Sequence, residues 1–263
     1  MNYALITGAS SGIGRCYTEE LASLGYNIIA ISNQAEALDS LRESITKRYN
    51  IIIHTLFVDL SESDAAKNIF DKCVSRGWQV DILVCNAGML LFSTLVNTAP
   101  EKLQTIISLH CTTTTLLCRY FGEEMKRRCQ GRILIMSSAT TWMPYPTIAH
   151  YSATKAYLKN FAFALWYELH RYGVSVTTVL PGAVDTPFYK LSDGLRKFFV
   201  AIGLMQRPES IARRGIKAML RGRRRLTTGF FTRLVVVICS LIPARLFEPL
   251  LHIPPIKRLL ERI

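Results

Sequence analysis

Short apolar runs recur along the chain, separated by longer amphipathic stretches. Tyr3–Ile6, Asn27–Ile31, Ile52–Phe57, Ile82–Cys85, Arg132–Met136 and Val174–Leu180 are predominantly apolar strand candidates. That pattern suits strands covered on both faces of a sheet. Between them lie helical stretches. Arg15–Leu24 follows the first strand, and Ala156–His170 places Leu158, Phe161, Leu165 and Leu169 at helical spacing without Gly or Pro. The alternation predicts an α/β fold: a doubly wound, mostly parallel sheet with helices on both faces. Arg225–Thr228 is a further strand candidate that would close the sheet.

Three segments of this pattern carry chemistry. The first strand ends in Thr7-Gly8 and runs through Ser10, Ser11, Gly12, Ile13 and Gly14 into a helix. Strand, glycine turn and helix aim backbone N–H groups and a helix amino terminus at a pyrophosphate. Gly8 lets the chain turn, Gly12 lets the backbone approach the phosphates, and Gly14 lets helix and strand pack closely. The spacing is G-x-x-x-G-x-G rather than the usual dinucleotide fingerprint, and a glycine turn without a nucleotide is the alternative. The strand Gly131–Met136 delivers Ser137 and Ser138 at its carboxyl end, where ligands of open α/β sheets sit. Tyr151 and Lys155 lie four residues apart at the head of the helical stretch, so one helix face presents both. A free phenol has a pKa of about 10 and is inert near neutrality. An ammonium about 4 Å away favours the phenolate by about three pKa units, which makes a usable general acid/base. The competing reading of an isolated pair is a core aromatic beside a solvated lysine.

Taken in order, these segments resemble the short-chain dehydrogenase/reductase family over roughly residues 2–228. The resemblance implies a Rossmann-type three-layer sandwich and a nicotinamide cofactor. It implies cofactor contacts from Gly8, Ser10, Ser11, Gly12, Ile13 and Gly14. Asp59 with Leu60 would meet the adenine, and Asn86-Ala87-Gly88 would lie beside the cofactor. Pro181, Gly182, Val184 and Thr186 match the segment that holds the carboxamide and pyrophosphate. Ser138, Tyr151 and Lys155 match the catalytic serine, tyrosine and lysine, with Tyr151 and Lys155 also touching the cofactor.

One position departs from the pattern. Where the family has an asparagine that helps hold a water linking the lysine to solvent, this chain has His110, in Ile107-Ser-Leu-His110. A histidine that relays protons in its place is one reading. A packed core histidine in an impaired enzyme, or a shift of the match by one helical turn, are the others.

At 263 residues the chain is long enough for one ordinary α/β domain. Its seven cysteines are odd in number and lack C-x-x-C spacing. They read as reduced packing residues of a cytosolic protein, with no metal site expected. The start enters the first strand at once, so no signal peptide is expected.

Charge is concentrated at the carboxyl end. Residues 207–263 hold 13 Lys/Arg and 3 Asp/Glu, a net +10 of the chain's +13. After the basic segment comes an apolar tail whose longest uncharged stretch, Leu234 to Ala244, falls short of the roughly 20 residues that span a bilayer. We therefore divide the chain into a catalytic domain, 1–228, and a basic apolar tail, 229–263. The tail lies in the interface of an anionic membrane, or packs on the domain or a second subunit. No nucleic-acid partner is expected, because no recognition module accompanies the basic patch.

Ser32 and Asn33, at the end of the second strand, offer no acid to oppose a 2′-phosphate, which favours NADP (as NADPH) over NAD. The segment from Phe188 to Met205 reads either as an oily lid for a lipophilic substrate or as an ordinary packed helix. The expectation is thus an NADPH-dependent reductase of a lipophilic ketone, such as a 3-oxoacyl, sphingoid or steroid-like carbonyl. It is expected to be homo-oligomeric, cytoplasmic and, through its tail, peripheral to a membrane. The alternative is a cofactor-binding scaffold or regulatory protein with impaired catalysis.

Overall fold

The computed structural model describes residues 2–142, 147–186 and 193–241. Seven parallel strands form one sheet: β1 (Tyr3–Thr7), β2 (Asn27–Ser32), β3 (Ile53–Phe57), β4 (Val80–Cys85), β5 (Gly131–Met136), β6 (Val174–Leu180) and β9 (Arg225–Thr227). Their order is β3-β2-β1-β4-β5-β6-β9. The strand order reverses between β1 and β4, and this switch point opens a crevice at the carboxyl ends of the strands.

Alternate residues of each strand enter different cores. Leu5, Ile29, Ile31, Leu83 and Ile133 face helices α3 (Ala65–Ser75), α5 (Thr113–Arg127) and α6 (Ala149–His170). Ala4, Ile6, Ile28, Ala30, Ile82 and Leu134 face α1 (Gly12–Ser23), α2 (Ala35–Arg48) and α8 (Pro208–Leu220). Both faces are covered, so the central strands read as predominantly apolar runs. Each fully buried Leu or Ile contributes about 1.5–3 kcal/mol.

Two helical segments shape the crevice. Helix α1 starts at Gly12, not Arg15, because the glycine turn itself enters the helix. Helix α4 (Pro100–Ile107) runs into α5 through a π-turn, Ser108–Thr112, which contains His110. The expected strand over 225–228 exists as β9, hydrogen-bonded to β6 at the sheet edge. Of the expected tail, Phe230–Leu241 forms helix α9, and 242–263 lie outside the described residues. A two-stranded ribbon pairs β7 (Ala183–Val184) with β8 (Met205–Gln206), and α7 (Asp193–Ala201) lies between them in sequence. Cys16, Cys73, Cys85, Cys111, Cys118 and Cys129 are all free thiols, and among the described residues no group of metal-ligating side chains forms.

Candidate active site

The crevice is a cleft of about 880 Å³. At one end is the glycine turn. Gly8 and Gly12 adopt φ of +65° and +51°, a region that disfavours any side chain. A methyl group on Gly14 would lie 1.9 Å from the Gly8 carbonyl oxygen, so turn and helix meet with no room for one. Ser11 caps α1 without a side-chain hydrogen bond, leaving the first N–H groups of the helix aimed at the cleft. The turn is fixed from below: Asn86 Nδ2 donates to the Thr7 carbonyl at 3.1 Å, and Thr7 Oγ1 accepts from the amides of Asn86 and Ala87 at 2.9 and 3.0 Å.

The sequence-predicted cofactor positions come together here. Gly8, Ser10, Ser11, Gly12 and Ile13 line the cleft, as do Ser32, Asn33, Asp59 and Leu60. So do Asn86, Ala87 and Gly88 on one side and Pro181, Gly182, Val184 and Thr186 on another. Gly14 lies beneath the turn and His110 behind the wall. The buried hydroxyls of Ser10 and Ser32 pair at 2.7 Å. Asp59 accepts from the Ser61 amide and hydroxyl at 2.9 and 2.7 Å, and these bonds hold its carboxyl below the usual carboxylate range. The cradle of open N–H groups, positive-φ glycines and paired hydroxyls fits a dinucleotide.

At the other end, β5 and α6 are clasped to each other. Lys155, fully buried, donates from Nζ to the Met136 carbonyl at 3.1 Å, while Ser137 Oγ donates to the Lys155 carbonyl at 2.7 Å. Burial lowers the Lys155 pKa to about 8. Its Nζ stands 5.7 Å from the centre of the Tyr151 ring, so the helix brings the pair together as the four-residue spacing requires. Ser138 Oγ accepts from the Thr140 amide and hydroxyl at 3.2 and 3.0 Å. Its own O–H is thereby left to donate into the cleft. Ser138, Tyr151 and Lys155 all line it.

His110 is wholly buried. Its Nδ1 lies 2.7 Å from Thr154 Oγ1, and its Nε2 accepts from the Met89 amide at 3.0 Å. Burial, then the neighbouring Lys155 and His150, push its pKa well below the usual imidazole range. Sequence reasoning placed Ser137 at the strand end without a role and missed Thr140, Met89 and Thr154, whose only signal was adjacency to predicted positions.

Of the expected lid, Phe188, Tyr189 and Leu191 lie outside the described residues, as does the Leu195 side chain. Among the described residues, Phe198 and Leu204 are exposed, and Met205 is buried in β8 rather than in the cleft wall. The apolar lining of the cleft that holds Ser138 and Tyr151 includes, among the described residues, Met89, Leu90, Phe92, Leu109 and Ile148.

A family model described as short chain dehydrogenase matches residues 2–193. A very-long-chain 3-oxoacyl-CoA reductase of Pyrenophora tritici-repentis is 35% identical over 194 residues, 72% of this chain and 57% of that protein. Human 17-beta-hydroxysteroid dehydrogenase type 3 is 33% identical over 191 residues, 72% of this chain and 61% of that one. The chain thus spans about three fifths of the length of these relatives. A short-chain dehydrogenase from Sphingobium yanoikuyae in complex with NADPH shares the fold, with a TM-score of 0.79 at 23% identity over 92% of this chain and 97% of the other. A metagenomic short-chain oxidoreductase in complex with NADP aligns with a TM-score of 0.72 at 25% identity, covering 86% and 96%.

Proposed function

The chain belongs to the short-chain dehydrogenase family, and from its cleft we propose that it is an NAD(P)-dependent oxidoreductase that interconverts a ketone and a secondary alcohol. The observation that carries this reading is the convergence of Ser138, Tyr151 and Lys155 in one cleft with the glycine turn from Gly8 to Ile13. A nicotinamide dinucleotide bound along the cleft would supply the hydride. The chain's own residues do the rest. Ser138, its oxygen already accepting twice from Thr140, donates its proton toward the substrate carbonyl and fixes it. Tyr151 gives the carbonyl oxygen a proton as negative charge builds there. The Lys155 ammonium, held by Met136, favours the tyrosinate left behind and faces the space where a ribose would lie.

We favour reduction of a lipophilic carbonyl with NADPH. The apolar walls Met89, Leu90, Phe92, Leu109 and Ile148 support the substrate class, as do the names of the relatives. The lack of an acid at Ser32 and Asn33 supports the cofactor, since a carboxylate there would repel a 2′-phosphate. A turnover screen with NADPH and NADH tests both points across long-chain 3-oxo lipids, steroid ketones and small polar ketones. Preference for small polar ketones, or for NADH, would overturn the respective choice. Tight cofactor binding with no turnover of any ketone would favour the scaffold reading.

The carboxyl-terminal segment supports contact with a membrane surface. Helix α9 exposes Phe230, Phe231, Leu234, Val235 and Ile238 along one face and turns Thr232 and Val236 inward. Among the described residues no helix is long and apolar enough to cross a membrane, so the reading is of a helix lying in the interface. A homo-oligomer remains part of the proposal, tested by light scattering of the full chain.

A further inference from the structure

Of the candidate catalytic residues His110 alone lies outside the cleft lining, yet its ring touches two elements that build it. A backbone amide only donates, so Met89 N–H at 3.0 Å requires a lone pair on Nε2. The ring proton of the neutral imidazole is then on Nδ1. Thr154 completes the chain: its single hydroxyl proton goes to the Tyr151 carbonyl at 2.8 Å, which leaves its oxygen to accept from Nδ1 at 2.7 Å. Every hydrogen-bonding position on the ring is occupied.

A second observation places the ring against the lysine. A methyl group on Gly88 would stand 2.8 Å from His110 Nε2 and 3.4 Å from Lys155 Nζ. The loop passes between ring and ammonium at the one residue without a side chain. The titratable groups around the ring are Lys155, His150 and Tyr151 from α6, with Cys111 beside it in the π-turn. Tyr151 meets it edge-on, at 5.8 Å between centroids and 74° between planes. A proton added at Nε2 would face an N–H donor and stand near a cation.

We propose that His110 is a positioning residue: a neutral imidazole fixed as the Nδ1–H tautomer, which ties the Asn86–Met89 loop to the catalytic helix α6 and carries no catalytic proton. This rests on the reading of Tyr151 and Lys155 as the catalytic pair. The ring spans the gap between the cofactor wall and the helix of the acid, so its loss loosens both together. Where the family resemblance implies a water-holding asparagine, this chain has a rigid two-ended clasp.

The test is ¹⁵N NMR of the histidine rings in the full chain, with the His110 signals assigned by their loss in His110→Gln. We expect a protonated Nδ1 and an unprotonated Nε2 that do not titrate across the range in which an ordinary imidazole does. A ring that titrates in that range, or an Nε2–H tautomer, overturns the proposal. NADPH binding supplies the second arm. His110→Gln places an amide oxygen where Nε2 stands, keeps an acceptor for Met89, and should bind within about two-fold of wild type. His110→Leu leaves that amide buried without a partner and should weaken binding about ten-fold. Equal affinity of the Leu variant and wild type overturns the proposal, and so does loss of a limb from the turnover pH profile of His110→Gln. The NMR and binding arms need no turnover, so a chain that reduces no ketone would sink the reductase reading and leave these results to decide the clasp.

Discussion

Thr232, in the first turn of α9, stands directly against Gly182 of the cofactor segment: a methyl group on Gly182 would come within 2.2 Å of the Thr232 hydroxyl oxygen. Phe231 packs likewise over Gly203, and Gln206 Nε2 donates to the Thr228 carbonyl at 3.2 Å. The start of α9 is thus part of the wall that holds Pro181 and Gly182. Gly182→Ala should cost about 1–3 kcal/mol through overpacking, and Thr232→Ala should recover part of it in the double variant. Urea midpoints of the four chains measure the coupling. A chain ending after Thr228 should be less stable and bind NADPH more weakly than one ending after Leu241. Equal stability of the two would show that α9 only rests on the domain.

Tyr151→Phe removes the proton donor and leaves the ring, the Lys155 contact and the glycine turn in place. Turnover should fall by about 10²–10⁴-fold, the usual contribution of a positioned acid, with NADPH affinity little changed. Lys155→Met should reduce turnover and also weaken NADPH binding, because the ammonium faces the cofactor space. Fluorescence titration beside steady-state rates separates the two effects. Undiminished turnover in Tyr151→Phe would remove the tyrosine from the mechanism.

The depressed pKa of Lys155, about 8, gives activity and stability opposite pH dependences. The kcat/KM for reduction should decline as pH rises through about 8, since the lysine loses the charge that supports Tyr151. Stability behaves differently. The unfolded chain keeps this proton up to about pH 10.5, whereas the folded chain releases it near 8. Between those values the unfolded state binds more protons, so the Lys155 contribution to stability rises with pH; below about 8 the cost of burying the ammonium is fully present. Lys155→Met should flatten that rise, read as the difference in urea midpoint between the two chains at pH 7 and pH 10.

The sheet was legible because strands buried on both faces cannot hide their apolar runs, and the turn from Gly8 to Gly14 announces a helix amino terminus. Ser138, Tyr151 and Lys155 were legible through order and spacing. What stayed hidden depends on pairings distant in sequence. Nothing in Met89 or Thr154 signals that a buried imidazole joins them, and the π-turn that aims His110 inward has no compositional mark. Of the oily segment after Thr186, Phe198 and Leu204 are exposed, while Phe188, Tyr189, Leu191 and the Leu195 side chain lie outside the described residues. Among the described residues, apolar lining comes from the loop after β4, where Met89, Leu90 and Phe92 lack the periodicity of a helix or strand.

Helix α9 makes the last prediction quantitative. Phe230 is 77% exposed, with Leu234 at 47% and Ile238 at 43% one and two turns further on. Each large apolar side chain gains about 1.5–3 kcal/mol on full transfer from water, and a fraction of that on entering a bilayer interface. Arg213, Arg214, Arg221, Arg223 and Arg225 are exposed on α8, the turn after it and the start of β9. Each basic residue near an anionic surface adds about 1 kcal/mol, and salt screens this attraction but not the apolar insertion. Binding to vesicles containing phosphatidylserine should therefore weaken as salt rises without vanishing. Replacing Phe230, Leu234 and Ile238 together by Ser should remove the salt-resistant part and weaken binding by at least about ten-fold, while NADPH affinity holds because these side chains face away from Gly182. Co-sedimentation with neutral and anionic vesicles at low and high salt measures both components. If the triple variant instead changes the oligomer size and leaves vesicle binding intact, the face is a subunit contact and the membrane reading fails.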